Sequence, residues 1–256
     1  MYAFALRPKW ILSHVLVVAL IITMIILGFW QLQRLDDRRE RNDAIESRTA
    51  EPVVLVDDLV SPADPLAIGD ELEYRIVEAA GVYQPADEVL VRNRTYEGRP
   101  GYWVLTPLRL DDGDAVIVNR GWIPNDLDAT PPPPAGQVRV LGMVQPTRNA
   151  EGLQRDDPAE GVLAEVARPD VARLAQQIPY PLLPVYIQLE GQAPPAGDLP
   201  RMLSRPELDE GSHFSYAMQW FIFTTIAIVG YPLVLRRVAQ GESGDRRLSD
   251  IPEIYR

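Results

Sequence analysis

A chain of 256 residues, 46% hydrophobic and 24% charged, has the average makeup of a globular protein of one or two domains, yet its apolar residues gather in two blocks near the ends. The formal net charge is −11, and residues 36–211 hold 32 Asp and Glu against 17 Arg, an acidic stretch that repels nucleic acid. With no cysteine and two histidines, the chain can form no disulfide, thiolate metal site, iron–sulfur cluster or thiol nucleophile, and imidazole chemistry must use His14 or His213.

In chain order, a short N-terminal tail (1–9) leads into a first apolar block. Residues 11–29 contain no Asp, Glu, Lys or Arg, and as a helix they reach about 28 Å, close to the hydrocarbon thickness of a bilayer. Trp10 and Trp30 bracket the block at headgroup level, so a transmembrane helix is expected over 10–30. A secretory signal peptide would have a shorter apolar core and a small-residue cleavage site, where this chain has Gly28-Phe29-Trp30-Gln31-Leu32-Gln33-Arg34. Residues 36–48 mix opposite charges at helical spacing, which predicts a solvated helical stalk over 31–51.

Beyond Pro52 the pattern becomes short β-branched and aromatic segments bounded by Gly, Pro and Asp. Strands are expected at 74–83, 88–93, 102–110, 115–120, 138–144 and 185–189, with Asp111-Asp112-Gly113-Asp114 as a hairpin turn. Residues 169–177 read as one short helix opened by proline and aspartate, and Pro131 to Pro134 as a rigid connection. Residues 149–160 and 191–200 are expected to be surface loops. The domain over 52–212 is thus expected to be an α+β fold, a small antiparallel β-barrel or sandwich with one or two helices.

A second uncharged block, 214–235, is closed by Arg236-Arg237, the usual stop at an interface, and predicts a second transmembrane helix over 213–235 followed by a tail over 236–256. The tails hold Arg7, Lys9, Arg236, Arg237, Arg246 and Arg247, opposed by Arg34, Arg38, Arg39, Arg41 and Arg48 after the first span. Long segments translocate largely regardless of charge, so the expectation is cytoplasmic termini and an extracytoplasmic domain. No amphipathic Arg-rich presequence precedes the first span, which points to a bacterial cell membrane.

Enzyme signatures such as Walker loops, GxGxxG, GxSxG and HExxH are missing, and no catalytic pair stands out among the many carboxylates. The densest signal is at the second span, where His213, Tyr216, Ala217, Trp220 and Thr224 recur at the i, i+3, i+4, i+7 spacing of one helical face. Two readings follow: a neutral imidazole ligating haem iron above an aromatic face, or an interfacial histidine beside a Ser212 N-cap. His14 lies near the start of the first span and His213 opens the second, which runs the opposite way; from His14 to the level of Trp30 is about 24 Å of helix, so one haem cannot take both. His14 is expected to be a satisfied or lipid-facing histidine at the inner interface. Leu27, Trp30, Gln31 and Arg34 share a face of the first helix, and a cross-helix bond to Gln219 is expected.

Three segments together resemble the surfeit locus protein 1 family of cytochrome oxidase assembly factors: 28–34 as above, Val118-Asn119-Arg120-Gly121-Trp122-Ile123-Pro124, and His213-Phe214-Ser215-Tyr216-Ala217-Met218-Gln219-Trp220-Phe221. Gly81-Val82-Tyr83 matches a further Gly-x-Tyr of that family, and Ser212 replaces a frequent asparagine. The resemblance implies two terminal spans around an extracytoplasmic domain, and a chaperone rather than an enzyme. By it, the protein would take haem a from haem a synthase and present it to subunit I of an aa3-type haem-copper cytochrome oxidase. It would hold the iron at His213 with Tyr216 and Trp220 alongside. Arg120, Trp30 and Arg34 would contact a propionate or a partner subunit, and no other metal is implied. The rivals are a membrane-anchored scaffold that holds oxidase subunits without haem and, more remotely, a membrane-anchored enzyme outside the cell. Oligomeric state is not legible in the sequence.

Overall fold

A computed structural model describes residues 3–61, 72–147 and 157–249. The chain divides into two compact units, one of residues 1–42 with 208–256 and one of residues 43–207.

After a 3₁₀ turn at Ala3–Leu6, the first unit holds α1 (Pro8–Thr49) as far as residue 42, its last turns belonging to the second unit, and all of α4 (His213–Ser249). Both are long and apolar enough to cross a membrane. Pro8 opens α1 at a position where its missing N–H costs nothing, and Arg48 in the last turn complements the helix dipole. The apolar part of α1 leaves Leu12, Val15, Leu16 and Ile26 largely exposed. Only a narrow stripe packs on α4. Gly28 lets the Phe221 ring approach so closely that a Cβ there would lie 2.7 Å from it, and Phe29 meets the same ring edge-on. At the far end, Tyr231 of α4 contacts Ser13 Oγ at 3.0 Å and His14 Nδ1 at 2.7 Å, while His14 Nε2 reaches the carbonyl of Ala5. His14 is therefore satisfied within the helix pair.

The second unit is built on one mixed sheet. Its strands are β1 (Val54–Leu55), β2 (Ile76–Tyr83), β3 (Val89–Tyr96), β4 (Arg99–Leu110), β5 (Ala115–Pro124), β6 (Gln137–Pro146), β7 (Glu165–Val166) and β8 (Leu182–Ala193), in the order β1-β2-β6-β8-β5-β4-β3-β7. Two single-turn helices accompany it, α2 (Val56–Leu59) and α3 (Val171–Leu174), the latter capped by Asp170, which accepts from the Arg173 N–H. All six strands expected from the sequence are present, and the Asp111–Asp114 turn joins β4 to β5, with the left-handed backbone supplied by Gly113.

The expectation of an antiparallel barrel or sandwich is corrected. Strands β5 and β8, β1 and β2, and β3 and β7 pair in parallel, and β2 meets β4 only over Gly81–Tyr83 against Leu108–Leu110. The sheet is mixed rather than antiparallel, and it curls far enough for β2 to meet β4 over those three residue pairs. Short turns dictate antiparallel neighbours, but the long connection before β8 leaves its direction open, and β8 enters alongside β5.

Burial follows from this central position. Every residue of β5 from Ala115 to Ile123 is buried. Val116 and Val118 join Val77, Leu108, Val140 and Ile187 in one core, while Ala115 and Ile117 join Val89, Val91, Leu174 and Tyr186 in another. Both faces of the strand are covered, so it reads as a continuous apolar run. A third cluster seats Ile45, near the end of α1, against Tyr74, Ile76 and Met143.

At the seam between β2 and β4 a Cβ on Gly81 would lie on the carbonyl oxygen of Arg109. Gly81→Ala should cost about 1–3 kcal/mol through overpacking. A lowered midpoint in thermal unfolding of the detergent-solubilised chain, followed by near-UV circular dichroism, is the expected result.

Candidate functional site

Residues singled out in the sequence fall into two separate groups. The first lies in the helix unit. Gln31 Oε1 sits 2.9 Å from Nδ1 of His213. An amide oxygen only accepts, so Nδ1 donates in this bond and Nε2 is left out of it. No other hydrogen bond engages the ring among the described residues. This is the arrangement in which imidazole binds a metal, with one nitrogen held by an acceptor and the other open.

The expected aromatic face divides on folding. Ala217 is fully buried and Thr224 nearly so, Trp220 is half-buried edge-on to Phe223, and Tyr216 is 49% exposed. The small residues of the face are thus buried, and the large ones stay partly exposed. The cross-helix bond of Gln31 forms with His213, whereas Gln219 is exposed. Trp30, 47% exposed, precedes Gln31 and lies under the Arg34 guanidinium at 5.8 Å. Arg34 also pairs with Asp37 at 3.8 Å, and both side chains are solvated.

A set of contacts not foreseen in the sequence holds the entry to α4. Arg39 grips Glu210 through two bonds of 2.9 and 3.0 Å, Arg38 pairs with Asp209 at 3.3 Å, and Asn42 donates to the Asp209 carbonyl. Arg38, Arg39 and Asn42 recur at helical spacing on α1, about two to three turns beyond Gln31. The partner Asp209-Glu210 pair lies 167–171 residues away in sequence, and no local pattern announces it.

The second group surrounds Arg120 in the sheet unit. Arg120 is 1% exposed. Its Nη1 donates to Glu88 Oε2 at 3.0 Å and its Nη2 to the Pro131 carbonyl at 2.9 Å, while Thr106 donates to the same Glu88 oxygen at 2.6 Å. Burial lowers the Arg120 pKa from its ordinary value, and the Glu88 carboxylate opposes that shift. The following residues have packing roles. Gly121 has φ +126°, a conformation glycine adopts freely, and a Cβ there would lie on the Arg201 carbonyl oxygen. Trp122 exchanges two 2.8 Å backbone bonds with Arg201, donates its Nε1–H to the Arg94 carbonyl and stacks on Tyr96. Glu88 opens a segment with the pattern of a strand, and nothing in its local pattern marks it as the counterion of Arg120.

The SURF1 family model matches residues 18–225. An uncharacterized SURF1-like protein of Mycobacterium tuberculosis (strain ATCC 25618 / H37Rv) is 31% identical over 232 residues, covering 89% of this chain and 84% of its own. SURF1-like proteins of Rickettsia felis, 29% identical with 87% and 97% covered, and of Monosiga brevicollis, 28% identical with 86% of each covered, are also similar. The chain belongs to the SURF1 family. Membership is consistent with a role in oxidase assembly.

Two measurements test the geometry. Glu88→Gln leaves the buried guanidinium without its charge partner and should cost about 3–5 kcal/mol, whereas Arg120→Met combined with Glu88→Met should recover most of it; denaturant midpoints separate the two outcomes. The Glu210 carboxyl is held below its ordinary pKa by hydrogen bonds from Arg39. A depressed folded-state pKa adds stability above the ordinary carboxylate range that is lost as pH falls through the depressed value. In a carbon-13 titration Glu210 should therefore titrate below free glutamate, and Arg39→Ala should return it to the ordinary value.

Proposed function

We propose that this protein is a membrane-anchored assembly factor for aa3-type haem-copper cytochrome oxidase that carries haem a on His213. In this reading α1 and α4 span a bacterial cell membrane, with cytoplasmic termini and the sheet unit outside. The exposed apolar surfaces of both helices suit contact with lipid. Haem a is cargo, taken from haem a synthase and given to oxidase subunit I, and the protein catalyses no step of its own.

The observation that carries the reading is the Gln31–His213 bond. It orients the ring through Nδ1 and leaves Nε2 without a hydrogen bond among the described residues, and losing an acceptor of this kind typically costs a metal-bound imidazole about 10- to 100-fold in affinity. Tyr216 and Trp220 follow one and two turns after His213 on α4 and offer partly exposed aromatic surface, and Trp30 and Arg34 lie within one turn of Gln31, where a cation on an exposed stem can meet a carboxylate. Arg120, bonded to Glu88 and the Pro131 carbonyl within the sheet unit, is given no part in holding haem at His213 in this reading.

The test is an absorption spectrum of the detergent-purified protein co-expressed with haem a synthesis. A haem a band should appear in the wild type, disappear in His213→Ala, and be retained about 10- to 100-fold less tightly in Gln31→Leu. A band unchanged in His213→Ala would remove that residue as ligand. No band in any variant, with oxidase assembly still dependent on the protein, would select a scaffold that holds oxidase subunits without haem.

A further inference from the structure

Where the inner core of the curled sheet meets the segment after β8, a small cavity of about 90 Å³ remains, walled by Leu189, Pro195, Pro200 and Met202 and reached by Arg120 and Gln192. At roughly 10–15 Å³ per water position it has room for about six water-sized positions, the scale of a short organic acid.

Its polar groups are unbalanced in one direction. Tyr83 donates its hydroxyl to Gln192 Oε1 at 3.0 Å, and burial raises the Tyr83 pKa above its ordinary value, so the proton stays in place. That bond orients the amide. Gln192 Nε2 is left buried with no acceptor among the described residues. Beside it, Arg120 offers five N–H groups, and Glu88 and the Pro131 carbonyl account for two hydrogen bonds. A buried donor without an acceptor costs about 1–3 kcal/mol, so a cavity with surplus donors calls for a molecule that brings acceptors.

We infer that this cavity is a binding site for a short aliphatic carboxylate, whose oxygens accept from Gln192 Nε2 and the Arg120 guanidinium and whose carbon stem lies against Leu189, Pro200 and Met202. A carboxylate supplies acceptors only, matching the surplus. It adds a negative charge beside a guanidinium that Glu88 already neutralises, so the affinity rests on charge-assisted hydrogen bonds and apolar contact more than on net charge. The site is independent of His213 and of haem. The carboxylate comes either from a free small acid or from a larger molecule entering where Met202 is exposed.

The experiment uses the full-length protein in detergent, purified from cells without haem a synthesis. Binding of carbon-13 propionate and of 4-phenylbutyrate is followed by NMR, with propanol as the uncharged control, for the wild type, Gln192→Glu and Gln192→Met. Gln192→Glu preserves shape and the Tyr83 bond while replacing the donor by an acceptor; Gln192→Met removes the donor without adding charge. Propionate should bind the wild type, propanol should not, and both variants should weaken binding at least about tenfold, the scale of a lost hydrogen bond to a charged group. Near-UV circular dichroism of buried Trp122 checks that each variant is folded. Propionate alone binding would identify a free small acid, and 4-phenylbutyrate binding with the same dependence on Gln192 would identify the carboxylate of a larger molecule. No binding of either acid, or binding indifferent to both substitutions, would overturn the inference.

Discussion

A guanidinium with 1% exposure is the constraint around which the sheet unit is arranged. Desolvating such a charge costs several kcal/mol unless a counterion and hydrogen bonds replace water. Glu88 comes from the start of β3, Thr106 from mid-β4, and Pro131 from the proline run after β5. Three connections distant in sequence thus converge on one side chain. The stiff run of Pro131 to Pro134 gains a specific purpose here, because it holds a carbonyl in place with little entropy left to lose. Trp122 completes the arrangement by exchanging backbone bonds with Arg201, and Gly121 leaves room for the Arg201 carbonyl, so the segment following β8 is secured at the same end of the sheet.

The helix unit is organised by a different constraint. Apolar helices have little to drive their pairing in lipid beyond close packing and a few polar bonds, each worth about 1 kcal/mol. Here the packing is at Gly28 and Phe221, and polar bonds lie toward both ends: Tyr231 with Ser13 and His14 at one, Gln31 with His213 at the other. The two histidines have contrasting surroundings. His14 has both ring nitrogens engaged, which suits a pairing role, whereas His213 has one nitrogen engaged and one open.

Much of this architecture is legible in the sequence because the determining signals are local. Uncharged blocks mark the long helices, alternation and β-branching mark the strands, and Asp-Asp-Gly-Asp marks the β4–β5 turn. The tighter turn joining β3 to β4 was missed: Glu97 and Gly98 both adopt positive φ, and glutamate is an unusual first residue for such a turn. Strand direction in β8 was illegible for a related reason, since a long connection carries no geometric rule about its return. For the candidate site, residue type and spacing picked out His213 and suggested that Gln31 needed a partner, but not that each was the other's. The pairings of Glu88 with Arg120 and of Asp209 and Glu210 with α1 exist only after folding, between residues whose own neighbourhoods look like ordinary solvated charge.

A carrier, unlike an enzyme or a permanent haem protein, must bind its cargo and let it go. Enclosure of both faces of a haem would slow release, whereas one ligand at the rim of a helix pair allows a competing protein to approach from the open side. The geometry at His213 fits that requirement in its incompleteness. One nitrogen is oriented, the flanking aromatics are partly exposed, and no second imidazole is available within reach on the paired helix, since His14 is occupied elsewhere. The Asp209-Glu210 contacts with α1 lie immediately before His213 and are solvent-exposed, so individually they contribute little to stability. Their value lies in position: they hold the start of α4 against α1, and with it the side chain of His213.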